Sequence, residues 1–320
     1  MTGLQRFAAT LTERFAGLPP PAVTELADRL TAALRVSVTG RPGVGRRTVA
    51  AVLNRAAGIR VTDADAEVRI RVLAEVVKPE DAAALRARPD LLILNKADLA
   101  GLRAGGPVAA AARDCAEITA RTGIPAAPMV ALTALAGLDE SILDDETVAA
   151  LRALTGEPVA LTSPDAFLDD DGALTRQVRA HLLAHLDLFG IAHAVVALRD
   201  DPAAGAAELR SRLCEAGRLA GVLDAVTAAG ARAAYRRIAA AERTLADLAV
   251  AEPDTADALA GLRSDPQILA ARAEVAAALF GDAPARSAAN WRTCADGPLD
   301  ELHRAAATDL CRAALAGVAR

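Results

Sequence analysis

The sequence predicts an α/β plus all-α chain: a small parallel sheet in its first half and a helical bundle built from both chain ends. Three observations predict this. Helical spacing of apolar residues opens the chain, short apolar runs separated by Gly, Pro and Asp follow, and from about Glu140 strand signals give way to long Ala/Leu/Arg stretches. Hydrophobic side chains make up 53% of the 320 residues and aromatic ones only 2%, so the core is expected from Ala, Leu and Val on closely packed helices.

Leu4, Phe7, Ala8, Leu11, Phe15 and Leu18 recur at helical spacing, and after Pro19-Pro20-Pro21 the set Val23, Leu26, Leu30 and Leu34 repeats it. Two amphipathic helices therefore fill 1–34. Their apolar faces need a partner, and the C-terminal helices offer one. Arg35–Thr39, Val68–Leu73, Leu91–Leu94 and Pro128–Leu132 read as strands of a parallel sheet with helices between them. Breaks near Ser163-Pro164, Asp201-Pro202, Glu252-Pro253 and Gly297-Pro298 divide the helical half. The expected domains are 1–34 (helices packing on the bundle), 35–139 (sheet) and 140–320 (helices).

The formal charge of −5 gives no electrostatic footprint for nucleic acid, so no nucleic-acid partner is expected. Cys115, Cys214, Cys294 and Cys311 form no CxxC pair and the N-terminus carries no signal-type apolar run, which points to a reduced, cytoplasmic chain with cysteines as small core residues. Lysine occurs only at 78 and 96 while Arg is abundant, a usage that looks like a high-GC bacterial genome. Thr122–Leu138 contains Pro125 and Pro128, and Asp187 interrupts the apolar stretch Leu182–Leu198, so neither is a good membrane span. Phe189–Leu198 is apolar enough to touch a membrane, but a buried helix is the preferred reading. His181, His185 and His193 have a spacing that could hold a metal, yet no Glu follows His181 and no Cys or Asp cluster converges with them, so they read as ordinary helix histidines. Arg60, Arg69 and Arg71 read as one solvated strand face. No metal site and no catalytic constellation is expected.

The chemistry concentrates in two segments. Gly40-Arg41-Pro42-Gly43-Val44-Gly45-Arg46-Arg47-Thr48 follows a strand and opens a helix, and Gly40 and Gly45 have phosphate-loop spacing. Such a loop needs glycines where backbone N–H groups turn inward, a lysine for the terminal phosphates and a Ser/Thr hydroxyl for Mg²⁺. Here Arg46 stands at the lysine position and Arg47 at the hydroxyl position, with Thr48 one residue late. Arginine pairs with phosphate but is forked and bulkier than lysine, and it does not ligate Mg²⁺. A plain glycine-rich turn with two solvated arginines is the alternative for this segment taken alone.

Leu91–Leu94 leads into Asn95-Lys96-Ala97-Asp98, the N-K-x-D sequence of guanine-nucleotide-binding proteins. In that motif the Asp carboxylate accepts from the guanine N1–H and N2–H₂, which adenine cannot reproduce, while Asn and Lys brace the loop and cover the base. Thr133-Ala134 after the last strand resembles the S-A-x loop that contacts guanine. The nucleotide-binding set is therefore Gly40, Gly43, Gly45, Arg46, Arg47, Thr48, Asn95, Lys96, Asp98, Thr133 and Ala134. The expected sheet is thus of the P-loop type, a reduced G domain, taking GTP or GDP, with Mg²⁺ left open by the loss of its usual hydroxyl.

The interval between Gly45 and Asn95 is too short for two further strands and a switch loop, and none of Asp63, Asp65, Asp81 and Asp90 is followed by Gly three positions on. Without the D-x-x-G loop, hydrolysis and phosphate-dependent switching lose their usual machinery. The shortening also leaves Arg35–Thr39 as a sheet edge, which Ile59-Arg60-Val61, the N-terminal helices or a partner should cover.

Together with Leu182-Leu183-Ala184-His185-Leu186-Asp187-Leu188-Phe189-Gly190-Ile191, Ala206-Ala207-Glu208-Leu209, Asn290-Trp291-Arg292 and Gly297-Pro298-Leu299, these motifs resemble the bacterial dynamin-like proteins, in particular the isoniazid-inducible actinobacterial branch, in shortened form. The resemblance implies a GTPase head on a helical neck and trunk at the inner face of the cell membrane. It implies a pseudo-GTPase that pairs with a full-length dynamin-like relative or with itself and makes peripheral membrane contact. A slow but genuine GTPase, in which Arg46 and Arg47 stabilise the transferred phosphate, and a helical scaffold that binds no nucleotide are the alternatives.

Overall fold

The computed structural model describes residues 2–15, 21–75, 77–101, 103–156, 158–251, 257, 261–262, 264–281 and 287–318. Two compact units emerge, Met1–Leu34 with Thr227–Arg320, and Arg35–Val226. Among the described residues there are fifteen α-helices and five strands.

The chain opens with α1 (Gly3–Arg14) and α2 (Pro21–Thr31). Thr2 starts α1 as a capping box, its hydroxyl accepting from Gln5 N–H while the Gln5 side chain accepts from Thr2 N–H. Phe7, Leu11, Val23, Leu26 and Leu30 are buried, as their spacing predicts. Leu18, Pro19 and Pro20 lie outside the described residues.

The sheet unit then follows as β1 (Leu34–Thr39), α3 (Arg46–Arg55), β2 (Ile59–Val61), β3 (Val68–Ala74), α4 (Asp81–Arg86), β4 (Leu91–Asn95) and a 3₁₀ turn (Ala97–Leu99). It continues through α5 (Gly106–Thr122), β5 (Ala126–Met129), α6 (Ala131–Leu138), α7 (Asp145–Ala153), α8 (Pro164–Leu168), α9 (Arg176–Asp200), α10 (Ala206–Ala216) and α11 (Leu219–Ala229). The strand order is β2-β1-β3-β4-β5. The β1–β3, β3–β4 and β4–β5 pairs are parallel, with Val36 opposite Val68, Ile70 opposite Leu91 and Leu92 opposite Ala126. β4 is buried along its whole length, the uniform apolar run of a strand covered on both faces. β2 and β3 both lie between α3 and β4, so the interval from Gly45 to Asn95 does hold two strands, and β2, beside β1, is the element that covers that edge.

Three expectations need correction. The last strand ends at Met129, and Pro128–Leu132 does not continue as strand, because the Ala131 N–H is taken by the Asn95 side chain and α6 begins there. Arg71 is not on a solvated face: it turns into an ion pair with buried Asp81 (3.1 Å), whereas Arg69 stays exposed against Asp90 and the Arg88 carbonyl. The compact units divide at 226/227 where the sequence suggested 139/140, because the apolar α6 packs among α3, α9 and α10 and gathers those helices onto the sheet. A Cβ at Gly137 of α6 would stand 2.7 Å from the Arg210 carbonyl of α10, so only glycine permits that approach.

Among the described residues, α9 is the one helix long and apolar enough to cross a membrane. Its Leu182, Leu186, Ile191, Ala194 and Leu198 are instead packed into a core with Leu143, Leu151, Phe167, Leu209 and Leu213. His181 and His185 stack on one another at 4.4 Å, and no metal-holding cluster occurs among the described residues.

The second unit is completed by α12 (Ala231–Ala251), α13 (Pro266–Ala277), α14 (Ala288–Ala295) and α15 (Glu301–Leu315). Phe7, Leu11, Val23 and Leu30 share its core with Tyr235, Ile238, Ile268, Trp291 and Leu310, a bundle of N- and C-terminal helices. Within it Arg272 is buried against Asp309 and Glu242, and the Tyr235 hydroxyl donates to Asp309 at 2.8 Å. The predicted break at Glu252-Pro253 lies outside the described residues, while that at Ser163-Pro164 opens α8 and those at Asp201-Pro202 and Gly297-Pro298 fall between helices.

Candidate functional site

The site forms where β1 and β4 deliver their C-terminal ends. In a parallel sheet those ends converge on one edge, and the loops leaving them carry the polar groups. β1 runs into Gly40–Gly45, and Gly45 caps α3 with φ +80°, a left-handed conformation that L side chains rarely adopt. Gly43 is left-handed as well, at φ +84°. A Cβ at Gly45 would also stand 2.3 Å from the Asn95 Nδ2, so glycine is required there twice over. At Gly40 a Cβ would meet Val44 Cγ2 at 2.8 Å and the Val72 carbonyl at 3.1 Å. The loop is wound tightly, and the first N–H groups of α3 are left for an external acceptor.

Asn95 ties three segments together. Its Nδ2 donates to the Val44 carbonyl (2.9 Å), its Oδ1 accepts from Ala131 N–H (3.0 Å), and the residue is 4% exposed. Both bonds are buried, where an unpaired amide would cost about 1–3 kcal/mol, so the glycine loop, the N-K-x-D turn and the start of α6 are locked in one arrangement. Lys96 follows in a left-handed conformation (φ 59°) and is exposed. Asp98 sits half-buried in the 3₁₀ turn, and burial, reinforced by the charge of Asp187, raises its carboxyl above the ordinary value against the pull of Lys96.

Arg41, Pro42, Gly43, Gly45, Arg46, Arg47 and Lys96 line a cleft of about 520 Å³. Arg46 and Arg47 are exposed, and no hydrogen bond or ion pair engages them among the described residues. Arg41 and Pro42 are the cleft residues missing from the predicted set, and Arg41 is the charged one. Its guanidinium faces fully buried Asp81 (3.5 Å) and reaches the Ala74 carbonyl, while Arg71 holds the other carboxylate oxygen. The only sequence signal for it was a basic residue directly after Gly40.

Of the predicted site residues, Gly43, Gly45, Arg46, Arg47 and Lys96 line the cleft, while Gly40, Thr48, Asn95, Asp98, Thr133 and Ala134 are not in its lining. Thr48 lies half-buried in the first turn of α3 and does not line the cleft. Thr133 and Ala134 are both 0% exposed inside α6. The Ala134 N–H bonds the Val130 carbonyl, and a Cβ at Gly217 would stand 2.7 Å from that nitrogen, so the group that the S-A-x comparison would aim at a base is enclosed by protein. The physical reason is the all-round apolar character of Ala131–Leu138, which favours a buried helix over an open loop.

The donor set also bears on Mg²⁺. Among the described residues the cleft lining presents four cationic side chains and no carboxylate or hydroxyl, a poor match for a hard cation that takes oxygen ligands. A phosphate chain fits the same lining by charge and by its backbone N–H groups. Comparison with protein-family models, with curated proteins and with solved structures finds no match to this chain.

Proposed function

We propose that this chain is a guanine-nucleotide-binding protein of dynamin-like type that has lost efficient hydrolysis and serves as a partner in a membrane-associated assembly. One observation carries the nucleotide part of the reading: the Asn95 carboxamide joins the Val44 carbonyl of the glycine loop to the N-K-x-D turn, so phosphate-binding and base-binding elements share one rigid edge. Asp98 of the N-K-x-D turn supports guanine as the base, since a carboxylate accepts from the N1–H and N2–H₂ pair, although it lies half-buried outside the cleft lining. The absence of a D-x-x-G sequence between Gly45 and Asn95 and the arginine at the metal-ligand position support binding without turnover. The partner and membrane components rest on the family resemblance alone.

Calorimetric titration of the purified chain with GTP, GDP and ATP, followed by a phosphate-release assay, tests the reading. Guanine-selective binding without release is the expected result. Release abolished by Asp98→Asn would establish the slow GTPase instead. No binding of any nucleotide would leave the helical scaffold and overturn the assignment of Asn95–Asp98.

A further inference from the structure

We propose that the cleft holds a di- or triphosphate without Mg²⁺, its charge neutralised by Arg46, Arg47, Lys96 and the surplus guanidinium charge of the Arg41–Asp81–Arg71 group. The inference rests on the nucleotide reading for the base but concerns the phosphates alone. Four features of the cleft lead to it. The position that would supply a metal-binding hydroxyl is Arg47, whose side chain cannot ligate a cation. The lining carries Arg41, Arg46, Arg47 and Lys96 with no anion among the described residues. Among the described residues no carboxylate holds Arg46 or Arg47, although the chain has more acidic than basic residues overall. Unpaired guanidinium groups beside free helix N–H donors form an acceptor site for phosphate oxygens, and each guanidinium can give two parallel hydrogen bonds.

The fourth feature is Asp81. It is 0% exposed and faces two guanidinium groups, Arg41 at 3.5 Å and Arg71 at 3.1 Å, with Lys78 N–H also donating to it. One carboxylate against two guanidiniums leaves one positive charge over. Arg41 carries that surplus to the cleft wall, its Nε turned to Asp81 and its Nη2 to the Ala74 carbonyl. Asp81 thus holds Arg41 at the end of the loop, where a flexible surface arginine would otherwise lose side-chain entropy on binding.

The test titrates the full chain with inorganic pyrophosphate, GDP and ADP, each in chelator and in Mg²⁺. Three chains are compared: the natural sequence, Arg46→Gln/Arg47→Gln, and Arg46→Lys/Arg47→Ser, which restores the ordinary lysine and hydroxyl. Arg46 and Arg47 are exposed and unpaired, so both variants are expected to fold, and circular dichroism checks it. The natural chain should bind pyrophosphate and GDP equally well with chelator. The double glutamine variant should bind both about tenfold or more weakly, from the loss of charge-assisted hydrogen bonds. The Lys/Ser variant should become Mg²⁺-dependent. Loss of the natural chain's binding in chelator, or undiminished binding by the glutamine variant, overturns the inference. GDP binding that requires Mg²⁺ sinks it while leaving the guanine reading intact. Chelator-insensitive pyrophosphate binding with no preference of GDP over ADP does the reverse. No binding of any probe rejects both.

Discussion

Arginine meets opposite fates in the two units. In the helical bundle Arg272 is 2% exposed and paired with Asp309 and Glu242, the network being closed by Tyr235. In the sheet unit Arg46 and Arg47 are exposed at the start of α3 with no carboxylate engaging them among the described residues. Burial explains the first case: a charge removed from water must be matched nearly completely, so its partners are on the chain. The second case shows charge held in water, next to unused N–H donors, where a partner from outside can replace the solvent. Arg41 stands between the two, part of a buried ion group at one end and a cleft wall at the other.

The contrast is broken most severely by Arg272→Ala. Removing one member of a buried ion group strands Asp309, and a loss of about 3–5 kcal/mol is expected in chemical denaturation of the full chain. Next comes Asn95→Ala, which removes both bonds that join the glycine loop to α6 and should cost about 1–3 kcal/mol by the same measurement. Asp98→Asn should leave stability nearly unchanged but weaken GDP binding about tenfold to a hundredfold, read by calorimetry. Guanine preference also has a pH signature. The ionised carboxylate is the acceptor, and the fold raises the Asp98 value, so protonation sets in at higher pH than for an ordinary carboxylate. As pH falls through that raised value the preference for GDP over ADP should disappear, while pyrophosphate binding persists; GDP and ADP titrations across a pH series check this. The smallest effect is on folding in Arg46→Gln/Arg47→Gln, expected within about 0.5 kcal/mol of the natural chain, since exposed unpaired charges add little stability.

These arginines also show how far sequence reasoning reached. Gly43 and Gly45 were legible because a strand-to-helix turn of that spacing needs left-handed residues, and the structure gives both positive φ. The N-K-x-D turn was legible because it ends a continuous apolar strand, and its Asn proves to be the bridge to the loop. Thr133 and Ala134 were read as a loop by likeness, against the apolar character of the segment that holds them, and that character placed them inside α6. Arg41 and Asp81 lie forty residues apart in the chain and share no local signal; only the pairing of β1 with β3 brings their loops together.

The sequence alone determined the order of β1, β3, β4 and the last strand, the tight glycine turn, the burial of β4 and the apolar faces of α1 and α2. Those features depend on period and on local backbone sterics, which a short window contains. Tertiary structure decided that Ile59–Val61 covers the β1 edge, that Leu143–Val226 gathers with the sheet, and that two of the candidate base contacts are enclosed. Each of these turns on which surfaces meet across long sequence separation, and the close approaches at Gly137 and Gly217 that permit the meeting have no signature in any window of sequence.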